Sequence, residues 1–581
     1  MARLDGNERM TLLTRTIFAL GMASALMLGE PVAAQQIDYR PPGLSDLPER
    51  VLSREETAFY ANAFDALNRQ DWVSVRTAID NDPFGALRGT LAAEYFLHPN
   101  SPRISIEEIE AWLQRYPTHP QAERMIGLGI KRGLVEAPIL PRKVATAREP
   151  SIPKRVLPRS VEDGTMPAEI GEAILSAIRN DDPDSARMLL DGIDASLSPA
   201  SRTEWRQRVA WSYYIENRDT AALAMARTAR GGTGPWLAEG AWVEGLAAWR
   251  LDDCPDAADA FTRASEQADN VELRSAAQYW AARAFTKCRQ PALARQMLER
   301  ASRSDETLYG MLATEQLGIT RPDRFRVAAF DREDWRKLRN DPIVRNAIGL
   351  AEINELELAD ETLLHALQTG DAESFASKAR LAKTLGLTSA QKWSGYNTPR
   401  GAQPIPAMRY PSTAATPVRG WTVDPALAFA HSLQESDFRP RVVSPANAIG
   451  LMQIRPIAAR EYAASIQMNA STVDLKDEAT NIAFGQRALR ALSQSETTNG
   501  HLPKVMAAYN AGPTPVARWN SEIRAFDDPL LYMESIPYWE TRGYVAIVMR
   551  NYWIYLRQGA EPAPSREALA QNAWPEFPTK N

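Results

Sequence analysis

The stretch LQESDFRPRVVSPANAIGLMQIRP, Leu433 to Pro456, places a glutamate, Glu435, at the end of an apolar run and follows it with turn residues and then Gly-Leu-Met-Gln. Upstream, DPALAFAHSLQE opens with Asp424, which can cap free N–H groups, and Pro425, which sits where a missing N–H costs nothing. The pattern predicts a helix of about three turns from Pro425, ending near Glu435 because Asp437 and Pro440 discourage continuation. The carboxyl then stands at a helix end beside a loop. Pro445, Asn447 and Gly450 are turn residues, and Asn and Gly accept positive φ with little strain. Leu451, Met452, Gln453 and Ile454 add an apolar edge with one amide, a mix that suits a sugar, whose faces are apolar and whose rim needs hydrogen bonds.

At 581 residues the whole chain exceeds a single core, and its net charge of −5 argues against a protein built to neutralise phosphate backbones, so no nucleic-acid partner is expected. Arg3, Arg9 and Arg15 precede the apolar run IFALGMASALMLG and then PVAAQQ, with small residues at Val32 and Ala34. This reads as a secretory signal over residues 1–34, with a membrane anchor disfavoured because the run falls short of the roughly 20 residues a span needs. A soluble periplasmic protein follows, with no spanning segment. Two cysteines exist, Cys254 and Cys288, about one structural repeat apart; in an oxidising compartment they can bridge, the alternative being two core thiols. Five scattered histidines have no metal-ligand spacing, so no metal site and no cofactor are expected.

From about Ile170 to Ser302 the chain is Ala-rich and repeats. A shift of 37 residues superposes Ala173, Ala210, Ala247 and Ala284, brings Trp205, Trp242 and Tyr279 into register, and aligns Asp182, Asp219 and Asp256. Small alanines let helices approach and the aromatic fills the groove between hairpins, so no unit buries its apolar face without its neighbours. A superhelix of helical hairpins is predicted. Before it, REETAFYANAFDALNRQDWVSVRTAID and IEEIEAWLQRYPTHPQAERMIGLGI carry the spacing of amphipathic helices. Between lies EAPILPRKVATAREPSIPKRVLPRS, whose dense prolines predict an exposed extended connector, with contact to an acidic polymer as the alternative. A second proline-rich stretch, YNTPRGAQPIPAMRYPSTAATPVRG, marks the major boundary before the Glu435 region.

The segment from Glu435 to Pro456 resembles the lytic transglycosylases of bacterial cell-wall metabolism, whose catalytic domain has a goose-type-lysozyme-like helical fold. Further matches follow in the family's order: NIAFG at Asn481 to Gly485, AAYNAGP at Ala507 to Pro513, ESIPYWETRGYV at Glu534 to Val545 and NYWIY at Asn551 to Tyr555. Upstream, LYGMLA at Leu308 to Ala313 and MRYP at Met408 to Pro411 resemble segments of the soluble lytic transglycosylases, which join a ring-like helical superhelix and a small linker domain to the catalytic domain. The resemblance implies an all-α chain with a superhelix over 35–305, a linker domain over 306–415 and a lysozyme-like domain over 416–581. It assigns Glu435 as single catalytic acid/base, places Ser444 near the reacting sugar, and puts Met452, Gln453, Tyr509, Asn510 and Tyr544 on the glycan groove. Tyr509 has packing as its alternative role, Asn510 a cap or turn, and Glu540 is expected to pair with an arginine. Asn447 stands where the family usually has glycine, and Arg455 where it commonly has methionine, which leaves subsite preference open.

Glycoside cleavage normally uses two carboxyl groups. Here one stands out, since Asp437 lies too close along the chain and Asp474, Asp477 and Glu478 read as solvated surface. The resemblance implies that protonated Glu435 donates to the bond between N-acetylmuramic acid and N-acetylglucosamine, and that its carboxylate then takes the proton of the sugar's C6 hydroxyl, closing a 1,6-anhydro ring. That requires a Glu435 pKa raised toward ~6–7 by apolar surroundings. The alternatives are a hydrolytic muramidase and, from another class, a glycan-binding helical-repeat scaffold. Peptidoglycan strands are the expected partner, with docking of other cell-wall enzymes on the superhelix and a monomeric state as further expectations.

Overall fold

The computed structural model describes residues 43–320 and 323–578; the expected signal segment lies outside the described residues. The fold is all-α. Among the described residues, strand is confined to one antiparallel pair, Thr146–Arg148 with Asn397–Pro399, and isolated bridges.

The repeat region forms consecutive helical hairpins: Ala168–Arg179 with Pro183–Asp191, Pro199–Ile215 with Asp219–Thr228, Trp236–Arg250 with Cys254–Gln267, and Val271–Lys287 with Pro291–Ala301. Ala210, Ala247 and Ala284 are fully buried where helices touch, and Trp205, Trp242 and Tyr279 fill the seams between hairpins. The three aligned aspartates share a register but not a role. Asp182 caps its helix by accepting from Ser185 N at 3.0 Å, Asp219 pairs with buried Arg250 at 3.3 Å, and Asp256 lies in the first turn of a helix capped by Asp253.

What truly recurs is the turn. Gln70, Asp181, Asn217, Asp252, Arg289 and Asn354 each take a left-handed conformation with φ between 56 and 65°. In each case the next N–H reaches back over the helix end, as in Asp182 N to Ala177 O at 3.0 Å, Arg218 N to Tyr213 O at 2.9 Å and Asp253 N to Ala248 O at 2.9 Å. Two otherwise orphaned carbonyls are satisfied and the chain reverses in minimal length. The four hairpins of the array, one in the N-terminal region and the one joining Pro342–Glu352 to Leu356–Thr369 thus use one device without glycine.

Two cores divide the molecule, and they interleave. One draws on residues from Leu52 to Met125 and from Phe330 to Ala390; the other on residues from Ile174 to Phe325 and from Tyr410 to Phe577. The proline-rich segment Glu136–Ser160 is the exposed connector its prolines predict, with no residue buried, and it also acts as a strap between them. Its prolines keep it extended, so its backbone groups pair with other parts of the chain: Val144 N donates to Gln368 O at 2.8 Å, Glu149 N to Tyr396 O at 2.8 Å, and the carbonyls of Pro150, Pro153 and Arg159 accept from Arg409, Arg550 and Trp236. Arg155, far from touching a polymer, is largely buried against Glu239 at 2.8 Å and Glu534 at 3.3 Å.

Cys254 and Cys288 are joined, with Cα atoms 5.6 Å apart, fastening two adjacent hairpin turns. Replacing both by serine should lower unfolding free energy by about 3–4 kcal/mol through the freed loop, read from denaturant curves of the oxidised protein and the variant. Replacing Arg155 by methionine leaves two buried carboxylates uncompensated and should cost about 3–5 kcal/mol. In the first core, burial pushes His119 down to about 4, with His365 adding to the effect. The unfolded chain therefore binds a proton that the folded chain refuses, and stability falls as pH drops from about 6.5 toward 4. His119→Gln should flatten that slope by about 3 kcal/mol across the window, measured by denaturation at stepped pH.

Candidate active site

The helix Pro425–Ser436 begins as its sequence directs. Asp424 Oδ1 accepts from Ala426 N at 3.0 Å, Pro425 occupies the first turn, and Tyr552 O–H holds the other carboxylate oxygen at 2.9 Å. It ends because Asp437 and Phe438 both turn left-handed, at φ 56 and 57°. Glu435 therefore lies in the last turn, half-exposed between buried Leu433 and Ser436. The following turn is a small hairpin with bridges between Val443 and Ile449 and between Ile449 and Ile454. Ser444 Oγ accepts from Ala448 N at 3.0 Å, and Asn447 takes φ 58°, so asparagine performs the left-handed turn that glycine would.

Asn481 ties this hairpin to the helix Glu478–Ser493. Its carbonyl accepts from Met452 N at 2.7 Å and its amide donates to Ile449 O at 2.8 Å and Leu475 O at 2.7 Å. Gly450, at φ 79°, lies so close that a Cβ would stand 2.3 Å from the Asn481 amide.

Tyr544 O–H donates to Glu435 Oε1 at 2.8 Å, and His431 Nδ1 lies 2.7 Å from the same phenol oxygen. Burial, with the charge of Glu435 adding to it, pushes both Tyr544 and Tyr509 well above the usual tyrosine range, so each stays a neutral donor. Tyr509 stacks obliquely on His431 at 4.8 Å and donates to Met452 O at 2.8 Å. The Met452 side chain is fully buried against Gly485, so its carbonyl is what it offers the cluster. Gln453, left-handed at φ 51°, donates its amide to Gly450 O at 2.8 Å, while Asn510 accepts from Thr541 at 2.7 Å. The structure thus hydrogen-bonds Glu435 to Tyr544 and Tyr509 to Met452, joins the two pairs through the His431 ring, and places Ser444 and Gln453 in the adjoining hairpin and Asn510 next to Tyr509 on its helix. The residue that sequence reasoning missed is His431, whose available signal was a lone imidazole one turn before Glu435 in an otherwise apolar helix.

Nearby carboxylates have other occupations. Asp437 pairs with Lys392, Asp477 caps its helix through Thr480 N at 2.8 Å, and Asp474 accepts from Lys476 N at 2.9 Å. Glu478 is not solvated surface as expected: it is half-buried, bonded by Thr413, and burial raises its pKa. Glu540 is exposed, whereas Arg542 is buried and stacks on Trp211 at 4.0 Å and Trp539 at 4.9 Å. Burial and neighbouring Arg155 push Arg542 down to about 10. Among the described residues no cluster could hold a metal ion.

The helix that carries Glu435 and the hairpin beside it fall within residues 414–531, which match the family model of the Transglycosylase SLT domain. The soluble lytic murein transglycosylase of Escherichia coli (strain K12) is 39% identical over 132 residues, 22% of this chain and 20% of that protein. The putative soluble lytic murein transglycosylase of Haemophilus influenzae is 35% identical over 144 residues, 24% of this chain and 23% of that one. These alignments span less than a quarter of each relative's length. In structure, the 70 kDa soluble lytic transglycosylase of Escherichia coli is similar over 90% of this chain and 99% of its own, with a TM-score of 0.53 at 16% identity. The 70 kDa soluble lytic transglycosylase in complex with bulgecin A gives a TM-score of 0.57 over 90% of this chain and 100% of that one, at 16% identity. The superhelical all-α fold is thus shared along most of the chain, and sequence likeness concentrates around Glu435.

Gly450→Ala should lose more than about 2 kcal/mol of stability, because left-handed strain and the clash with Asn481 coincide. Gly543→Ala, a helical position where a Cβ would meet nothing within 4 Å, should be neutral or stabilising by up to about 1 kcal/mol. Thermal denaturation of the two variants side by side checks both.

Proposed function

We propose that this protein is a peptidoglycan lytic transglycosylase in which Glu435 alone serves as acid and base. The observation that carries the reading is a half-exposed glutamate at a helix end, held by a neutral tyrosine donor, inside the segment that matches the Transglycosylase SLT domain. The relatives' names point to murein as substrate. Glu435, protonated, donates to the oxygen linking N-acetylmuramic acid to N-acetylglucosamine, and the N-acetyl oxygen of the same muramoyl unit shields the anomeric carbon as that bond breaks. The resulting carboxylate takes the proton of the C6 hydroxyl, whose oxygen closes on the anomeric carbon. The proton returns to Glu435 and no water enters the product.

Tyr544 keeps the carboxylate aimed by holding one of its oxygens. Ser444, whose oxygen already accepts from Ala448 N, has its hydroxyl hydrogen to donate to the sugar. Gln453, Tyr509 and Asn510 shape the wall. The catalytic unit is 416–581, with the superhelix over 35–305 and a linker over 306–415, exported to the periplasm by residues 1–34 and acting as a monomer.

Mass spectrometry of fragments released from purified peptidoglycan is the test. Fragments lighter by one water than reducing-end fragments are expected, and Glu435→Gln should release almost none while melting like the natural protein. Ordinary reducing ends would make the protein a hydrolase with a second carboxylate; substantial turnover by folded Glu435→Gln would remove Glu435 from the chemistry.

A further inference from the structure

The mechanism above leaves one buried polar side chain unused. His431 sits one helical turn before Glu435, fully buried, with Tyr509 and Tyr544 ring centroids at 4.8 and 5.8 Å. A phenol carries one hydrogen. When Glu435 is ionised that hydrogen belongs to the 2.8 Å bond with Oε1, because a carboxylate only accepts. The phenol oxygen can then make its 2.7 Å contact with His431 only by accepting, so Nδ1 carries the imidazole proton. A neutral ring has one N–H, which leaves Nε2 bare, and Nε2 is the atom that finds no hydrogen-bond partner among the described residues. An apolar side chain would fill this place without that unmet atom, and such unmet buried groups call for an explanation. Burial pushes His431 down to about 3, so the ring is neutral throughout the working range. The titratable groups facing it are Tyr544 from the Trp539–Gly559 helix, Tyr509 from the Leu502–Ala511 helix and, through Tyr544, Glu435.

We infer that His431 is a positioning residue of the active site: its Nδ1–H donates to the Tyr544 oxygen and so fixes the phenol as the donor to Glu435. The inference rests on the reading of Glu435 as acid and base. An oxygen that accepts one hydrogen bond donates a stronger one, and a stronger bond to the carboxylate favours its charged form. His431 thereby tunes the proton affinity of Glu435 without touching it or the substrate. Its own charge takes no part.

The experiment compares the full chain with His431→Leu and His431→Asn, the second keeping an N–H near the position of Nδ1. The pH profile of kcat/KM on purified peptidoglycan should show the alkaline limb of His431→Leu moved up by roughly 0.5 unit with activity down roughly tenfold. His431→Asn should stay near the natural protein in both. An unmoved limb in folded His431→Leu, or an asparagine variant as impaired as the leucine one, overturns the inference. Ring ¹⁵N spectra of the natural protein, assigned by loss of the His431 signals in the variants, give an independent readout should either variant fold poorly. Nδ1 protonated and Nε2 bare at about pH 8, where Glu435 is ionised, is the expected result; an Nε2–H or doubly protonated ring there overturns it. If the natural protein releases no anhydro ends, the reaction reading falls, and the ring's protonation pattern alone then decides the hydrogen-bond chain.

Discussion

A largely buried guanidinium needs counter-charge within reach, and Arg155 has it only where three separate parts of the chain meet. Glu239 comes from the hairpin array, Glu534 from the C-terminal domain, and Arg155 itself from the proline-rich strap. Around this pair the aromatic planes alternate with cations in the order Trp211, Arg542, Trp539, Arg155, Trp242, at 4.0, 4.9, 5.8 and 4.8 Å. Guanidinium planes stack on indole faces and are weakly hydrated, which lowers the cost of their burial. Glu534 is held further by Tyr309 at 2.7 Å, whose oxygen accepts from Trp280 at 3.1 Å. The start of the Trp539–Gly559 helix is therefore set against the superhelix, and Tyr544 lies on its second turn.

The same helix thus connects the architecture to Glu435. On the other side, Lys392 of the first core pairs with Asp437, two residues past the glutamate, so both cores bear on the end of one short helix. Glu435 is left half-exposed while His431, Leu433, Ser436 and Tyr544 around it are buried. An acid that must give and then recover a proton needs access to substrate on one side and a fixed donor on the other. The helix terminus supplies the first and Tyr544 the second.

Much of this was legible in the chain. Asp424 and Pro425 start the helix and Asp437 stops it, because capping and left-handed termination are local chemistry. The Ala and Trp register of the hairpins was also readable, since burial at helix seams imposes it. The roles of Asp182, Asp219 and Asp256 were not, because identical residues at matching positions meet different partners. The exposed, extended course of the strap was readable from its prolines, but which of its carbonyls face Arg409, Arg550 and Trp236 rather than water depends on residues far away in sequence. Met452 and Glu478 exchanged their expected surroundings, one being buried on Gly485 and the other half-withdrawn beneath Thr413. His431 was invisible because an imidazole in an apolar run gains meaning only when Tyr544 arrives from the far end of the domain.

The interleaving of the two cores governs how the chain can be assembled. Residues 52–125 complete their core with 330–390, and 174–325 theirs with 410–577, although the hairpins of 174–325 pack chiefly on one another. Neither half can finish during synthesis of its own first segment. Local hairpins can form early, since their contacts are short in sequence, but closure requires pairings of high sequence separation, which are slow. A newly made chain should consequently hold a packed hairpin array early and reach its finished form only once its last helices are present.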